Sequence, residues 1–88
     1  MAGYSVRIKR SALKELEAIG TKADRRRIVQ RIRGLAQDPR PPGAQKLSGR
    51  ERYRLRQGRY RILYAIHDEV LTVYVVRIAH RREAYRGN

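Results

Sequence analysis

The fold is decided by the stretch from Tyr53 to Arg86, YRLRQGRYRILYAIHDEVLTVYVVRIAHRREAYR. This stretch alternates arginine with apolar and aromatic residues over most of its length. Successive side chains of a β-strand point to opposite faces, so a period of two sorts these residues into two sets. One face of the first predicted strand therefore carries three guanidiniums, those of Arg52, Arg54 and Arg56.

Two more strands are predicted after a break at Gln57-Gly58. One face of the second strand holds Tyr60, Ile62, Tyr64 and Ile66, and the other face holds Arg61, Leu63 and Ala65. The polar residues 67–69 predict a turn. Residues 70–78 are apolar on both parities apart from Thr72 and Arg77, which is typical of a central strand covered on both sides. An antiparallel meander of the three strands is expected to collect several arginines, a histidine and Tyr85 near one surface.

The residues before this stretch predict one strand and two helices. Tyr4, Val6 and Ile8 alternate with polar and basic residues, as in a strand with one buried face. Apolar residues then recur at helical spacing in two segments, which are separated by Gly20 and end before Asp38-Pro39. The order predicts a single α+β domain over residues 1–88, with the helices on one face of one antiparallel sheet. The other face of that sheet is left for a ligand.

The charge of the chain indicates a polyanionic partner. There are 22 Lys and Arg residues against 8 Asp and Glu residues among 88, a net charge of +14. Nucleic acid is the default partner, although an acidic protein or an anionic membrane meets the same electrostatic condition. The longest apolar run, residues 70–76, is far shorter than the roughly 20 residues of a spanning helix. The chain has no cysteine, which excludes disulfides and thiolate catalysis and fits a reducing cytoplasm.

The pattern of chemical groups favours cationic chemistry without a metal or another cofactor. The eight acidic residues show no ligand spacing for a hard cation, and glycine-rich phosphate loops and a serine triad are absent from the sequence. Arginines on a sheet can bind phosphates and stabilise the charge of a phosphorane-like transition state. RNA supplies its own nucleophile in the 2′-hydroxyl group, so an enzyme that aligns this group can cleave RNA without a metal ion.

Each candidate residue also has a structural interpretation. Arg54, Arg56 and Arg61 can be solvated charges on a sheet face instead of phosphate ligands. A tyrosine in a strand is more often an aromatic residue at the edge of the core than a platform for base stacking. This applies to Tyr53, Tyr60, Tyr64 and Tyr74. His80 is either a general acid or base or a polar residue at the end of a strand. Tyr85 lies beyond the last strand, where a packing role is less obvious.

Four segments resemble the RelE branch of the RelE/ParE toxins. They are KLSG (residues 46–49), YRLR (53–56), GRYRILY (58–64) and IAHRREAYR (78–86). The resemblance covers nearly the whole chain. It implies a toxin of a type II toxin–antitoxin system that enters the ribosomal A site and cuts the mRNA there, in the cytoplasm. It also implies an acidic antitoxin that covers the basic face, and no partner membrane or small-molecule cofactor.

The resemblance places the family's site residues at Arg54, Arg56, Arg61, Arg81 and Tyr85. With the neighbouring basic residues and His80 included, we expect catalysis by Arg61, Arg81, Tyr85 and His80, and binding of RNA phosphates by Arg52, Arg54, Arg56, Arg59 and Arg82. Lysine often occupies the family positions of Arg54 and Arg56, and the high pKa of arginine makes proton exchange there unfavourable. We therefore expect Tyr85 to take the 2′-hydroxyl proton, while Arg81 or His80 assists the 5′-oxygen leaving group.

Two other functions fit the same sequence. A toxin of the ParE branch resembles this chain in architecture but acts on DNA gyrase, and the presence of Arg61, Arg81 and Tyr85 favours the ribonuclease. A non-enzymatic basic protein that binds RNA or the ribosome needs the positive charge but not Tyr85.

Overall fold

A computed structural model describes residues 3–48 and 51–80. The elements follow the chain in the order β1 (Ser5–Ile8), α1 (Arg10–Glu17), α2 (Lys22–Gly34), β2 (Gln45–Lys46), β3 (Arg52–Gln57), β4 (Tyr60–His67) and β5 (Thr72–His80). A single turn of 3₁₀-helix, Asp68–Val70, joins the last two strands. The predicted α+β class and element order are confirmed, and β2 is an additional short strand.

The five strands form one mixed sheet in the order β1-β5-β4-β3-β2. The meander of β3, β4 and β5 is antiparallel as predicted, but β1 runs parallel to β5, so the expectation of a wholly antiparallel sheet is wrong for this pair. Alternation in a sequence fixes which face a side chain takes and carries no information on strand direction. The parallel pair is possible because β1 and β5 are not consecutive. Both helices and the strands β2, β3 and β4 lie between them in the chain, which is more than the crossover that parallel strands require.

The helices cover one face of the sheet, as predicted. Apolar side chains from all the long strands and both helices meet in one core, whose most buried members are Ala12, Ile28, Leu35, Leu55, Ile62, Tyr64, Val73 and Val75. We call the opposite face of the sheet the helix-free face. Neither helix among the described residues is long and apolar enough to cross a membrane.

Neither helix has a side-chain capping hydrogen bond at its N-terminus. Helix α1 begins at Arg10, and its N-cap residue is Lys9. Thr21 is the N-cap residue of α2, but its side chain makes no capping hydrogen bond. The stability of these helices therefore comes mainly from the packing of their apolar stripes on the sheet.

Candidate functional site

The helix-free face carries the arginines that the alternation predicted. Leu55 is 1% exposed and holds β3 against the core, which turns its neighbours in the strand to the other side. Arg7 of β1 takes the same side, because Val6 and Ile8 pack against the core. We call the arginines on this side of the sheet the arginine face. They are Arg7, Arg52, Arg54, Arg56 and Arg61, of which Arg61 is buried.

Two of these arginines lie directly opposite each other. Arg56 of β3 is the register partner of Arg61 of β4. Arg56 is exposed, whereas Arg61 is only 2% exposed, and its Nη1 lies 3.5 Å from the carbonyl oxygen of Tyr60. A guanidinium carries several N–H donors, and its hydrogen bonds to a phosphate are charge-assisted and therefore strong. The pair therefore has the composition of a phosphate-binding site.

Arg54 and Arg59 lie beside this pair. Arg54 is half-buried, and its Nη2 donates a hydrogen bond of 2.6 Å to Oε1 of Gln45 in the neighbouring strand β2, which orients the guanidinium. Arg59 is exposed in the two-residue turn between β3 and β4. Gly58 allows that turn because its φ of 59° lies in the left-handed region. Both predicted phosphate ligands therefore lie at the same end of the sheet as Arg56 and Arg61.

His80 does not lie with the arginines, in contrast to the expectation that the meander would collect them on one surface. It is the register partner of Tyr60, and the two rings pack edge to face with centroids 5.5 Å apart. The cause is a β-bulge in β5. Tyr64 pairs with Val75, but the next residue of β4, Leu63, pairs with Arg77, so Val76 has no register partner in β4. One extra residue reverses the alternation beyond it, so Ile78 and His80 turn towards the helices.

The other predicted catalytic residues lie outside the described part of the chain. These are Arg81 and Tyr85, together with the predicted phosphate ligand Arg82. Their roles remain predictions.

A polar network on the helix side supports β3 from behind. Tyr53 stacks on Tyr64 with ring centroids 5.7 Å apart, and its hydroxyl accepts a 3.1 Å hydrogen bond from Nε of Arg40. The Arg40 guanidinium also lies 5.4 Å from the centre of the Tyr53 ring and forms a 2.9 Å ion pair with Asp68. Tyr53 lies between Arg52 and Arg54 in β3. The contacts that hold Tyr53 therefore also fix the part of the strand from which these two arginines project.

The network also shifts the acidity of its members. The hydrogen bond from Arg40, and then that from the Tyr4 hydroxyl, lowers the pKa of the Asp68 carboxyl. The hydrogen bond that Tyr4 donates to Asp68 at 2.7 Å raises the pKa of the Tyr4 hydroxyl. Burial raises the pKa of Tyr64 to about 12, and its hydroxyl donates a 2.8 Å hydrogen bond to the carbonyl oxygen of Pro39. No pattern in the sequence predicted this network, because its residues are distant in the chain and Tyr4, Arg40 and Asp68 lie outside the four segments that carry the resemblance.

Glu15 of α1 holds the end of β5, which precedes the predicted catalytic residues. One carboxylate oxygen accepts a 2.9 Å hydrogen bond from the backbone N–H of Ile78, and the other lies 3.4 Å from the Arg77 guanidinium. Strand β1 pairs with β5 only from Thr72 to Val75, so this carboxylate satisfies a backbone donor that lies beyond the last β1 pair.

Comparison with known proteins identifies relatives of this chain. Residues 6–85 match the family described as the ParE toxin of the type II toxin–antitoxin system parDE. No curated protein matches the chain.

Several solved structures share the fold. A chain of the archaeal RelE–RelB complex from Pyrococcus horikoshii OT3 is 28% identical, with a TM-score of 0.81, over 92% of this chain and 97% of that one. A chain of the toxin–antitoxin complex RelBE2 from Mycobacterium tuberculosis is also 28% identical, with a TM-score of 0.78, over 90% and 99%. The isolated RelE toxin of E. coli is 26% identical, with a TM-score of 0.75, over 96% and 93%.

Proposed function

The chain belongs to the ParE toxin family of the RelE/ParE superfamily, and from this premise we propose that it is a ribosome-dependent endoribonuclease that cleaves mRNA in the A site. It is thus a toxin of a type II toxin–antitoxin system. The observation that carries the enzymatic proposal is the opposed pair Arg56 and Arg61 on the helix-free face, flanked by Arg54 and Arg59.

The proposed reaction is a transfer of the phosphoryl group within the RNA. The 2′-oxygen attacks the adjacent phosphorus, the bond to the 5′-oxygen breaks, and the products are a 2′,3′-cyclic phosphate and a 5′-hydroxyl. Tyr85 takes the proton of the 2′-hydroxyl. Arg81 stabilises the negative charge on the departing 5′-oxygen, which takes up a proton from water and becomes the 5′-hydroxyl. Arg56 and Arg61 stabilise the extra negative charge on the phosphoryl oxygens, which is the type of electrostatic stabilisation that needs no metal ion.

The proposed partner of the free toxin is an acidic antitoxin. Two of the similar structures are toxin–antitoxin complexes with RelB-type partners. The charge of +14 on this chain favours an acidic partner, and the arginine face is the surface that such a partner would neutralise. Binding there would inhibit the toxin by occupying the phosphate site.

The match to the ParE description favours a second candidate, an inhibitor of DNA gyrase. The solved structures described above favour RelE-type chemistry instead. The two candidates differ in what fails first after the toxin is produced without antitoxin. Early loss of translation with cut mRNA supports the ribonuclease, whereas early loss of DNA supercoiling with intact mRNA supports the gyrase inhibitor.

The decisive experiment measures mRNA cleavage on programmed ribosomes by the wild-type chain and by Tyr85→Phe. This change removes one hydroxyl and leaves the charge unaltered, so we expect cleavage to slow by roughly 10²-fold or more while ribosome binding is retained. Arg56→Gln should slow cleavage by about tenfold or more, because a hydrogen bond to a charged group contributes about 1.5–3 kcal/mol. The matched control is Arg27→Gln, which removes the same charge from an exposed position on α2.

Wild-type rates in Tyr85→Phe would remove that residue from catalysis. Products with a 3′-hydroxyl and a 5′-phosphate would exclude attack by the 2′-hydroxyl. Equal losses in Arg56→Gln and Arg27→Gln would mean that only the total charge matters.

A further inference from the structure

A concave region lies on the helix-free face, at the end of the sheet away from Arg56 and Arg61. It encloses about 480 Å³, which is within the 300–1,000 Å³ typical of ligand sites. We call it the Tyr74 hollow, and its lining residues are Lys9, Glu51, Arg52, Ala65, His67, Tyr74 and Val76.

The sheet register explains why there is space at this point. Arg7, Tyr74, Ala65 and Arg52 form one row across four strands, since each is the register partner of the next. The methyl group of Ala65 is the only small side chain in this row. It therefore leaves a depression between the ring of Tyr74 and the guanidinium of Arg52.

Tyr74 differs from the three other tyrosines in the strands. Tyr53, Tyr60 and Tyr64 all turn to the helix side, where they join or pack against the core. Tyr74 pairs with Arg7 and Ala65 on the helix-free face and is half-buried there. An aromatic ring on a surface that binds RNA is a platform on which an unpaired base stacks. The interpretation of the strand tyrosines as core-edge residues therefore holds for three of them, and Tyr74 is the exception.

The charges around the hollow favour a phosphate beside the stacked base. Lys9 and Arg52 are exposed at its rim, and Arg7 is exposed next to Tyr74 in the row. Glu51 is the single acid among the lining residues, and its carboxylate lies 3.7 Å from Nζ of Lys46. The apolar lining consists of Ala65 and Val76 alone, which is too little to bury the face of an amphipathic helix. An aromatic ring with flanking cations fits one nucleotide better than an acidic helix.

The distance to the proposed cleavage site suits a continuous RNA strand. Arg52 and Arg56 are four residues apart in β3, which corresponds to about 13 Å at 3.3 Å per residue. A stacked strand advances about 3.4 Å per nucleotide, so the hollow lies a few nucleotides from a phosphate held by Arg56 and Arg61.

We propose that the Tyr74 hollow binds one unpaired nucleotide of the RNA substrate, with its base on Tyr74 and its phosphate between Lys9 and Arg52. This subsite rests on the proposed ribonuclease function and would fix the register of the mRNA relative to the scissile phosphate.

The test measures binding of a fluorescein-labelled single-stranded RNA hexamer to the full chain by fluorescence anisotropy at low salt. Stacking of one base contributes about 1–3 kcal/mol, so Tyr74→Leu should weaken binding by about tenfold, within a range of about 5- to 150-fold. Tyr74→Phe keeps the ring and should bind as the wild type does. Arg52→Gln should lower the slope of log affinity against log salt by about 0.7, whereas Arg27→Gln on α2 should leave it unchanged.

Hexamers with a single abasic position make the test independent of protein folding. The wild type should lose affinity at one position of the abasic site, and Tyr74→Leu should show no such position. Equal affinity of the wild type and Tyr74→Leu would overturn the subsite, as would a uniform response to abasic sites at every position. The latter result would indicate a site for any polyanion, including an acidic peptide.

Parallel cleavage assays on programmed ribosomes separate this proposal from the ribonuclease proposal. If Tyr74 controls hexamer binding but the chain cuts no mRNA, the nucleotide site stands and the enzymatic proposal fails. If the chain cuts mRNA and Tyr74→Leu changes neither hexamer affinity nor KM, the subsite fails and the enzymatic proposal stands.

Discussion

At the scale of single residues, the arginine face combines side chains of very different exposure. Arg52 and Arg56 are exposed, Arg54 is half-buried and Arg61 is 2% exposed. Burial of a guanidinium costs free energy unless its donors are satisfied, so a buried arginine is usually fixed in position. The alternation in the sequence predicted the face of Arg61 correctly. It did not predict its burial, because burial depends on neighbours from other parts of the chain.

Tyr64 gives a residue-scale prediction for stability at alkaline pH. Its buried hydroxyl donates to the carbonyl oxygen of Pro39, so Tyr64→Phe should lower the free energy of unfolding at neutral pH by about 1–2 kcal/mol. The raised pKa of about 12 means that the folded state holds this proton more tightly than the unfolded state. The wild type should therefore lose stability as the pH rises from about 10 to 12, and Tyr64→Phe should lose less.

Urea unfolding at pH 7, 10 and 11 measures this difference. The quantity to compare is the difference in free energy of unfolding between the wild type and Tyr64→Phe at each pH. Tyr4 also has a raised pKa, and its loss of stability at alkaline pH is the same in both proteins and cancels in this difference. Parallel pH profiles for the two proteins would contradict the assignment to Tyr64.

Asp68 gives a prediction for the acid side. The folded state lowers the pKa of this carboxyl, so its contribution to stability is complete above its ordinary pKa near 4 and is lost as the pH falls through the folded value. Asp68→Asn should therefore be less stable than the wild type at pH 6, and the gap should close towards pH 2. Thermal unfolding across this range measures the gap. A gap of constant size would show that the ion pair with Arg40 does not cause it.

At the scale of the elements, the bulge in β5 determines which side chains meet. The period of two in β3 and β4 correctly predicted which side chains point to the helices and which point to the helix-free face. It succeeded because the two strands pair in continuous register without a bulge. Residues 73–80 are apolar on both parities for most of their length, so nothing in the sequence marks Val76 as an extra residue. The face on which His80 lies could therefore not be predicted from the sequence. The parallel pairing of β1 with β5 could not be predicted either, because the relative direction of two strands depends on the chain that connects them and not on their own residues.

The contact between α1 and β5 leads to an element-scale prediction about Glu15. Glu15→Ala removes the acceptor for the Ile78 N–H and the partner of Arg77, and it should lower the free energy of unfolding by about 1–3 kcal/mol. Glu15→Gln keeps an acceptor for Ile78 and should cost less. Hydrogen exchange of the Ile78 amide measures the local effect, which should be faster exchange in Glu15→Ala than in Glu15→Gln. Equal exchange in the two variants would contradict the role of this hydrogen bond.

At the scale of the whole molecule, positive charge covers both sides of the protein. The arginine face lies on the helix-free side, and α2 presents a second set of exposed cations on the opposite side, namely Lys22, Arg26, Arg27 and Arg33. The total charge raises the rate at which the chain meets any polyanion, and this effect depends little on where each charge lies. Specific binding depends on position, because only charges that contact phosphates release counterions on binding.

The last prediction uses two double variants that lose the same charge from opposite sides. The first variant, Arg56→Gln with Arg59→Gln, removes two charges from the end of the sheet that carries the proposed phosphate site. The second, Arg26→Gln with Arg27→Gln, removes two charges from α2. All four arginines are exposed. We expect affinity for programmed ribosomes to fall steeply with salt in the wild type, with a slope that decreases by about 1.4 to 1.8 in the first variant and by less than half of that in the second. The association rate at low salt should fall by similar factors in both, because it reports the total charge. Equal changes in slope would mean that the ribosome is bound through the total charge of the chain, and that the arginines on the helix-free side contact phosphates no more than those of α2 do.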